Sequence, residues 1–365
     1  MRVDGKAYRS VWRVPGAHRV CIFDQTRLPH DLEVVELDSV ASVAEAIRSM
    51  RTRGAPLIGA VGAYGLALAL HADPSDDSLN TAHAMLDATR PTAVNLRWAL
   101  DRVRESVRGL AWSLRAESAF DVADSICDED IRINRAIGLH GLDLIREAMA
   151  RRSGGRVNIL THCNAGWLAT VDWGTATAPI YMAHDLGLDV HVWVDETRPR
   201  NQGAALTAWE LGRHGVPHTV VADNSGGHLM QRGLVDLCLV GTDRVTRHGD
   251  VCNKIGTYLK ALAAADNGVP FHVCLPGPTI DWRVADGLAE IPIEQRDAAE
   301  VTHVHGLAPD GARVAVRIVP AGTPARNDAF DVTPARLVTG LVTERGRCAA
   351  SLDGLASLYP DLAGG

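Results

Sequence analysis

From residue 157 onward, short apolar runs recur with room for a helix between them. The runs are VNILTH (157–162), VHVWVD (190–195), HTVVA (218–222), LCLVGTD (237–243) and FHVCL (271–275). Continuous β-branched runs predict strands buried on both faces, and the segments between them are long enough for crossover helices. The first 40 residues read differently. YRSVWRV, RVCIF and EVVEL alternate apolar and polar positions and are punctuated by Pro15, Gly16 and Pro29, which predicts a small antiparallel sheet. Ser39 is placed as the N-cap of VASVAEAI, and Ala-rich segments at 56–71, 80–89, 92–114 and 117–150 predict helices. The pattern changes at SGGRVNIL (153–160). The expected fold is therefore α/β. An N-terminal small antiparallel sheet plus helical domain spans 1–152, and a C-terminal Rossmann-like parallel-sheet domain spans 153–365. Ligands of such a sheet bind at the carboxyl ends of its strands.

Composition narrows the functional classes. The chain has 365 residues, 46% hydrophobic and 22% charged, which fits two globular domains with sizeable cores. Its net charge is −7, and no block of Lys and Arg forms a nucleic-acid footprint. A small anion in a locally positive pocket stays compatible with that balance. Seven cysteines, widely spaced and without a C-x-x-C, argue against a disulfide framework or a zinc ribbon. The start, MRVDGKAYRSVW, has no apolar signal-peptide core. The longest uncharged stretch, Ala55 to Leu70, falls short of the ~20 apolar residues of a membrane span and reads as a buried helix. The expectation is a cytoplasmic protein with no membrane or nucleic-acid partner. No G-x-G-x-x-G or G-x-x-x-x-G-K-[ST] occurs, and the histidines lack a zinc spacing, so neither a nucleotide cofactor nor a metal is expected.

The strand ends carry the candidate chemistry. VNILTH runs into Cys163-Asn164-Ala165-Gly166, where a thiol between a strand and a helix lies in a field that favours thiolate. A buried apolar cysteine is an equal alternative on position alone. LCLV runs into Gly241-Thr242-Asp243, and an acid there in an apolar setting has a raised pKa and acts as a proton donor. A capping or salt-bridged Asp is the competing reading. Asn253 and Lys254 are read as beginning a helix and suit a phosphate or a sugar hydroxyl, with a plain solvated Lys as the competing reading. Arg53, with the backbone N–H groups of Gly54 and Ala55 ahead of Pro56, suits a second anion cradle, with a surface Arg ahead of an ordinary helix as the alternative. Arg97 beside Trp98 is a further basic candidate, with a surface cation–π pair as its alternative. Asp195 and Glu196 beside Arg198 either bind hydroxyls or form a structural ion-pair network, and Gln202 follows.

Taken in order, RGAPLIGAVGAYGLAL (53–68), TAVNLRWALDRV (92–103), ILTHCNAG (159–166), VDETRP (194–199), QGAALTAWEL (202–211), DNSGGHLM (223–230), VGTDRV (240–245), GDVCNKIGTY (249–258), EIPIE (290–294) and AFDVTPARLVTGLVTERG (329–346) are specific as a set. The chain resembles the methylthioribose-1-phosphate isomerases of methionine salvage, which are related to the regulatory subunits of eukaryotic translation initiation factor 2B. The resemblance implies an aldose–ketose isomerase of a small sugar phosphate, without a cofactor, working as a homodimer. It implies Cys163 and Asp243 as the catalytic pair. It implies Arg53, Gly54, Ala55, Arg97, Gln202, Asn253 and Lys254 as substrate-binding positions. Either a proton relay through an enediol-like species or a hydride shift between C1 and C2 fits that pair. Three positions depart from the family pattern: Trp167, Trp173 and Ala205. Trp167 is expected to shape an apolar pocket for the sugar's 5-substituent. Rival substrates are 5-deoxyribose 1-phosphate and ribose 1,5-bisphosphate. A non-catalytic regulatory subunit is the rival of another class, and it is expected to lack the Cys and Asp pair.

Overall fold

The computed structural model describes residues 2–3, 5–90, 93–152 and 155–363. The expected domain boundary at residue 153 and the expected helix start at residue 92 lie outside the described residues. The N-terminal antiparallel sheet consists of β1 (Val11–Arg13), β2 (Val20–Phe23) and β3 (Val34–Leu37). Helix α1 (Val40–Arg48) follows, capped by Ser39 as the sequence predicts. Ser39 Oγ accepts from the Ser42 N–H, and Ser42 Oγ accepts from the Ser39 N–H, so two otherwise unpaired donors are satisfied at the helix start.

Helix α2 (Ala55–Ala72) is the apolar stretch noted above. It is long and apolar enough to cross a membrane, but most of it is buried inside the protein. It packs among α1, α3 (Asp76–Asp87), α4 (Val94–Val107) and α5 (Trp112–Arg151). Leu57, Leu66, Leu96, Leu100 and Phe120 of this core have no exposed surface. Helix α5 has 40 residues, roughly 60 Å at 1.5 Å per residue. Its first half packs with Phe120 and Ile126 in the helical core. Its second half, from Ile137 to Ala148, packs on the parallel sheet.

That sheet contains β4 (Val157–Thr161), β5 (Val190–Asp195), β6 (His218–Val221), β7 (Leu237–Val240), β10 (Phe271–Cys274), β15 (Gly340–Thr343) and β16 (Gly346–Cys348). The order is β16-β15-β10-β7-β4-β5-β6, parallel throughout except for the edge strand β16. Successive side chains point to opposite faces, and both faces are covered. Ile159 faces α5 and α6 (Ala178–Asp185), and Leu160 faces the side of α8 (Ser225–Gln231) and α9 (Thr257–Asp266). The chain adds β5 and β6 on one side of β4, then crosses to place β7 on the other. The switch point of the topology therefore lies between β4 and β7, where ligands of such sheets bind.

A second sheet of β8 (Arg244–Thr246), β9 (Val251–Lys254), β11 (Ile280–Asp281) and β14 (Phe330–Thr333), in the order β11-β8-β9-β14, stands next to this point. Asn253 and Lys254 are thus the last residues of a strand and do not begin a helix; α9 starts only at Thr257. An exposed hairpin, β12 (His303–Leu307) and β13 (Arg313–Arg317), completes the C-terminal half.

Candidate active site

One cleft opens at the switch point. It is lined by Arg53, Gly54, Ala55, Cys163, Gln202, Asp243, Asn253 and Lys254, so eight of the nine sequence-derived positions meet there. The ninth, Arg97, does not. Leu96, Ala99, Leu100 and Val103 form the buried stripe of α4, and Arg97 lies off that stripe. Its guanidinium faces solvent and is held by the Asp87 carboxylate through Nε at 2.9 Å. Arg90 lines the cleft instead, with Arg200 and Arg296. Arg90 shares with Arg53 only a weak sign in the sequence, a cation followed within three residues by a proline ahead of a helix.

Cys163 comes one residue after His162, beyond the end of β4, with φ +65. This uncommon conformation is held from both sides of the residue. Its N–H donates to Thr197 Oγ1 at 2.8 Å, and its carbonyl accepts from Thr207 Oγ1 at 2.7 Å. The thiol lies 3.3 Å from Gln202 Oε1 and donates to it. Gln202 leads into a π-helical turn, Gly203–Thr207, and then α7 (Ala208–His214). Asp243 follows β7, the strand paired with β4 through Leu160 and Cys238. Thiol and carboxyl therefore hang from adjacent strand ends.

Burial pushes the Cys163 thiol up, and the charges of Arg53 and Lys254 oppose this without cancelling it. Burial also raises the Asp243 carboxyl, against the pull of Arg90, Lys254 and Arg53. The two nearest cations have only neutral partners. Arg53 donates to Gln25 Oε1 at 3.1 Å, to the Asn164 carbonyl at 3.0 Å and to Asn164 Oδ1. Lys254 Nζ donates to the Ala329 carbonyl at 3.1 Å and lies 5.9 Å from the Phe330 ring centre. Among the described residues neither pairs with a carboxylate. Burial lowers both pKa values. Gly54, at φ +99, lies against Ala169 so closely that a Cβ would meet its Cα at 2.4 Å. Only glycine lets α2 begin this close to the loop that follows Cys163.

The other cations form a continuous ion-pair chain along the mouth. Arg90 pairs with Glu294, Glu294 with Arg296, Arg296 with Glu300, and Glu300 with Arg200. Glu300 also accepts from Asn327 Nδ2 at 2.9 Å. Burial pushes its carboxyl up, but hydrogen bonds from Arg296, Arg200 and Asn327 and the charge of Arg296 outweigh it and hold it at about 2. A depressed carboxyl stabilises the fold above its unfolded pKa and loses that contribution as pH falls towards the folded value. Urea titrations from about pH 6 down to 3 are expected to show a loss of roughly 1–2 kcal/mol that Glu300→Gln lacks.

Beneath the cleft, Asp195 is fully buried between His162 Nδ1 at 2.9 Å and Lys260 Nζ at 3.1 Å. The structural alternative for Asp195 is therefore the observed one. His162, Asp195 and Asp223 have ligand atoms within 4.8 Å of one another. The Lys260 ammonium already stands against Asp195, and Asp223 accepts the N–H groups of Thr197 and Arg198. Trp167 does not shape the cleft as expected. The turn Trp167–Ala169 carries its ring away into a separate apolar cluster, where it stacks on Trp209 and meets the edge of Phe23. Ala205 lines an outer vestibule with Leu28, Met50 and Leu206.

A doubly covered parallel sheet with a thiol and an acid at its switch point, and with uncompensated cations beside them, defines an α/β protein built around a small-anion cleft. Comparison with known proteins narrows this. The Initiation factor 2 subunit family matches residues 51–350. A methylthioribose-1-phosphate isomerase of Rhodospirillum rubrum is 63% identical over 100% of this chain and 94% of its own length. The crystal structure of 5-methylthioribose 1-phosphate isomerase from Pyrococcus horikoshii is 37% identical, with a TM-score of 0.83 over 98% of this chain and 97% of that one. That of translation initiation factor eIF-2B, subunit delta, from A. fulgidus is 35% identical, with a TM-score of 0.79 over 97% of this chain and 100% of that one. The chain belongs to the methylthioribose-1-phosphate isomerase family, within the wider Initiation factor 2 subunit family.

Proposed function

We propose that this protein is an intramolecular oxidoreductase that converts 5-methylthioribose 1-phosphate to 5-methylthioribulose 1-phosphate. The observation that carries the reading is the pair Cys163 and Asp243 on adjacent strand ends of one cationic cleft. The anomeric oxygen of the substrate carries the phosphate, so the ring cannot open by simple mutarotation. Asp243, whose affinity for its proton burial raises, gives that proton to the ring oxygen as the C1–O bond breaks. Cys163 takes the proton from C2 as a thiolate, a state that Arg53 and Lys254 support against burial, and the thiol so formed protonates C1. Asp243 recovers a proton from the C2 hydroxyl as the ketone forms, and both groups end as they began. Arg53, Lys254, Arg90 and the backbone of Gly54 and Ala55 bind the phosphate, while Gln202 and Asn253 orient the sugar.

Charge and surface favour this substrate over the alternatives. Arg90, Arg200 and Arg296 share two carboxylates while Arg53 and Lys254 pair with none among the described residues, which leaves net positive charge for a phosphate dianion. The vestibule residues Leu28, Met50 and Leu206 offer an apolar surface to a methylthio group. The same reading makes the protein a cytoplasmic homodimer that needs no cofactor.

Purified protein supplied with 5-methylthioribose 1-phosphate is expected to form the ketose, faster than from 5-deoxyribose 1-phosphate and without turnover of ribose 1,5-bisphosphate. No ketose overturns the assignment. Deuterium from heavy water is expected at C1 of the product to the extent that the Cys163 thiol exchanges before it protonates C1, and any incorporation there excludes a hydride shift. Arg90→Ala is expected to raise KM about 10–100-fold, the weight of a charge-assisted hydrogen bond, whereas Arg97→Ala leaves KM unchanged.

A further inference from the structure

Behind the catalytic loop lies a buried carboxyl that the chemistry above does not use. Glu210, on α7, is 2% exposed. Its Oε2 accepts from the Leu168 N–H at 3.1 Å. Gly166 approaches so closely that a Cβ there would lie 1.3 Å from Oε1. Oε1 itself is buried outside good hydrogen-bond geometry with any donor among the described residues, and the Tyr181 hydroxyl faces it from α6 near enough to favour its ionised form. Glu210 and Arg53 both reach the Asn164 side chain. The groups facing the carboxyl are thus Asn164 and Leu168 from the loop, Tyr181 from α6 and Arg53 from ahead of α2, with Asp172 near Tyr181.

Arg53 has neutral hydrogen-bond partners, so the charges in its surroundings decide how strongly it attracts an anion. We propose that Glu210 is a positioning residue that holds the loop from Asn164 to Leu168 and sets how much of the Arg53 charge is available to a substrate anion. The inference rests on Arg53 binding the phosphate. Burial pushes the Glu210 carboxyl up to about 7, against the Leu168 hydrogen bond, Asn164 and the charge of Arg53. Below that pH the carboxyl is neutral and Arg53 acts at full strength. Above it, an anion behind Arg53 offsets part of its charge.

Sulfate tests this, because it stays a dianion from about pH 6 to 9 while the side chain titrates. Its inhibition constant against substrate is expected to rise about 3–10-fold over that range in the wild type, as one unit charge appears near Arg53. Cys163 and Asp243 also face Arg53, so in Glu210→Gln, which keeps the size and an acceptor for Leu168, the rise is expected to shrink to the part those two groups contribute, with kcat at pH 6 preserved. Parallel pH dependence in the two enzymes overturns the role of Glu210. Sulfate that fails to compete at every pH overturns the anion-binding reading of Arg53 itself. Should Glu210→Gln not fold, Tyr181→Phe carries the test. It removes the hydroxyl that lowers the carboxyl's pKa, so the midpoint of the wild-type rise moves to higher pH; an unmoved midpoint overturns the proposal.

Discussion

Cys163→Ser and Asp243→Asn are each expected to lower kcat by about 10²–10⁴-fold, the weight of one acid or base in a proton-transfer step. Each replacement keeps the volume of the side chain. The Ser hydroxyl still reaches Gln202 Oε1, and the backbone contacts to Thr197 and Thr207 do not depend on the sulfur. Thermal midpoints should therefore stay within a few degrees of wild type, and steady-state assays should report chemistry rather than unfolding. The double variant is expected to be little slower than the slower single one, because both groups serve the same proton movement and their losses are not additive. Wild-type turnover in either single variant removes that residue from the mechanism.

Asp195→Asn is expected to cost about 3–5 kcal/mol of folding free energy, a large share of the ~5–15 kcal/mol by which a domain of ordinary stability holds together. The carboxylate has no exposed surface and stands against Lys260, itself 3% exposed. Removing one partner leaves a buried ammonium without the carboxylate it stands against. The urea midpoint should fall with the slope unchanged. Adding Lys260→Met should restore part of the loss, since an apolar chain replaces the stranded charge. A loss below about 1 kcal/mol would show that water reaches the pair and that the site is not a dry one.

The parallel sheet was legible because its strands are covered on both faces, so β4, β5, β7 and β10 read as unbroken apolar runs. Cys163 and Asp243 were legible for the same reason: strand ends can be counted, and α/β sheets bind at strand ends. The second sheet was not. β8, β9 and β11 are two to four residues long and too brief to show a period, and Gly256-Thr257 beyond Lys254 resembles a helix start. Arg97 was separable in principle, since the apolar spacing of α4 puts it beside the buried stripe and not on it. Trp167 was misplaced by taking closeness in sequence for closeness in space. Arg200 and Arg296 are brought in by loops and held by Glu294 and Glu300, partners about a hundred residues from Arg200 and two hundred from Arg90 that no local pattern announces.

The long helix α5 has a consequence for the architecture as a whole. It supplies Phe120 and Ile126 to one core and Ile137, Leu142, Ile145 and Ala148 to the other. A cut after its last turn would strip the parallel sheet of part of its lid and leave the severed helix with a greasy flank facing water. Neither half is a portable module, and recombination at this joint cannot transplant the sheet into another protein with its cover intact.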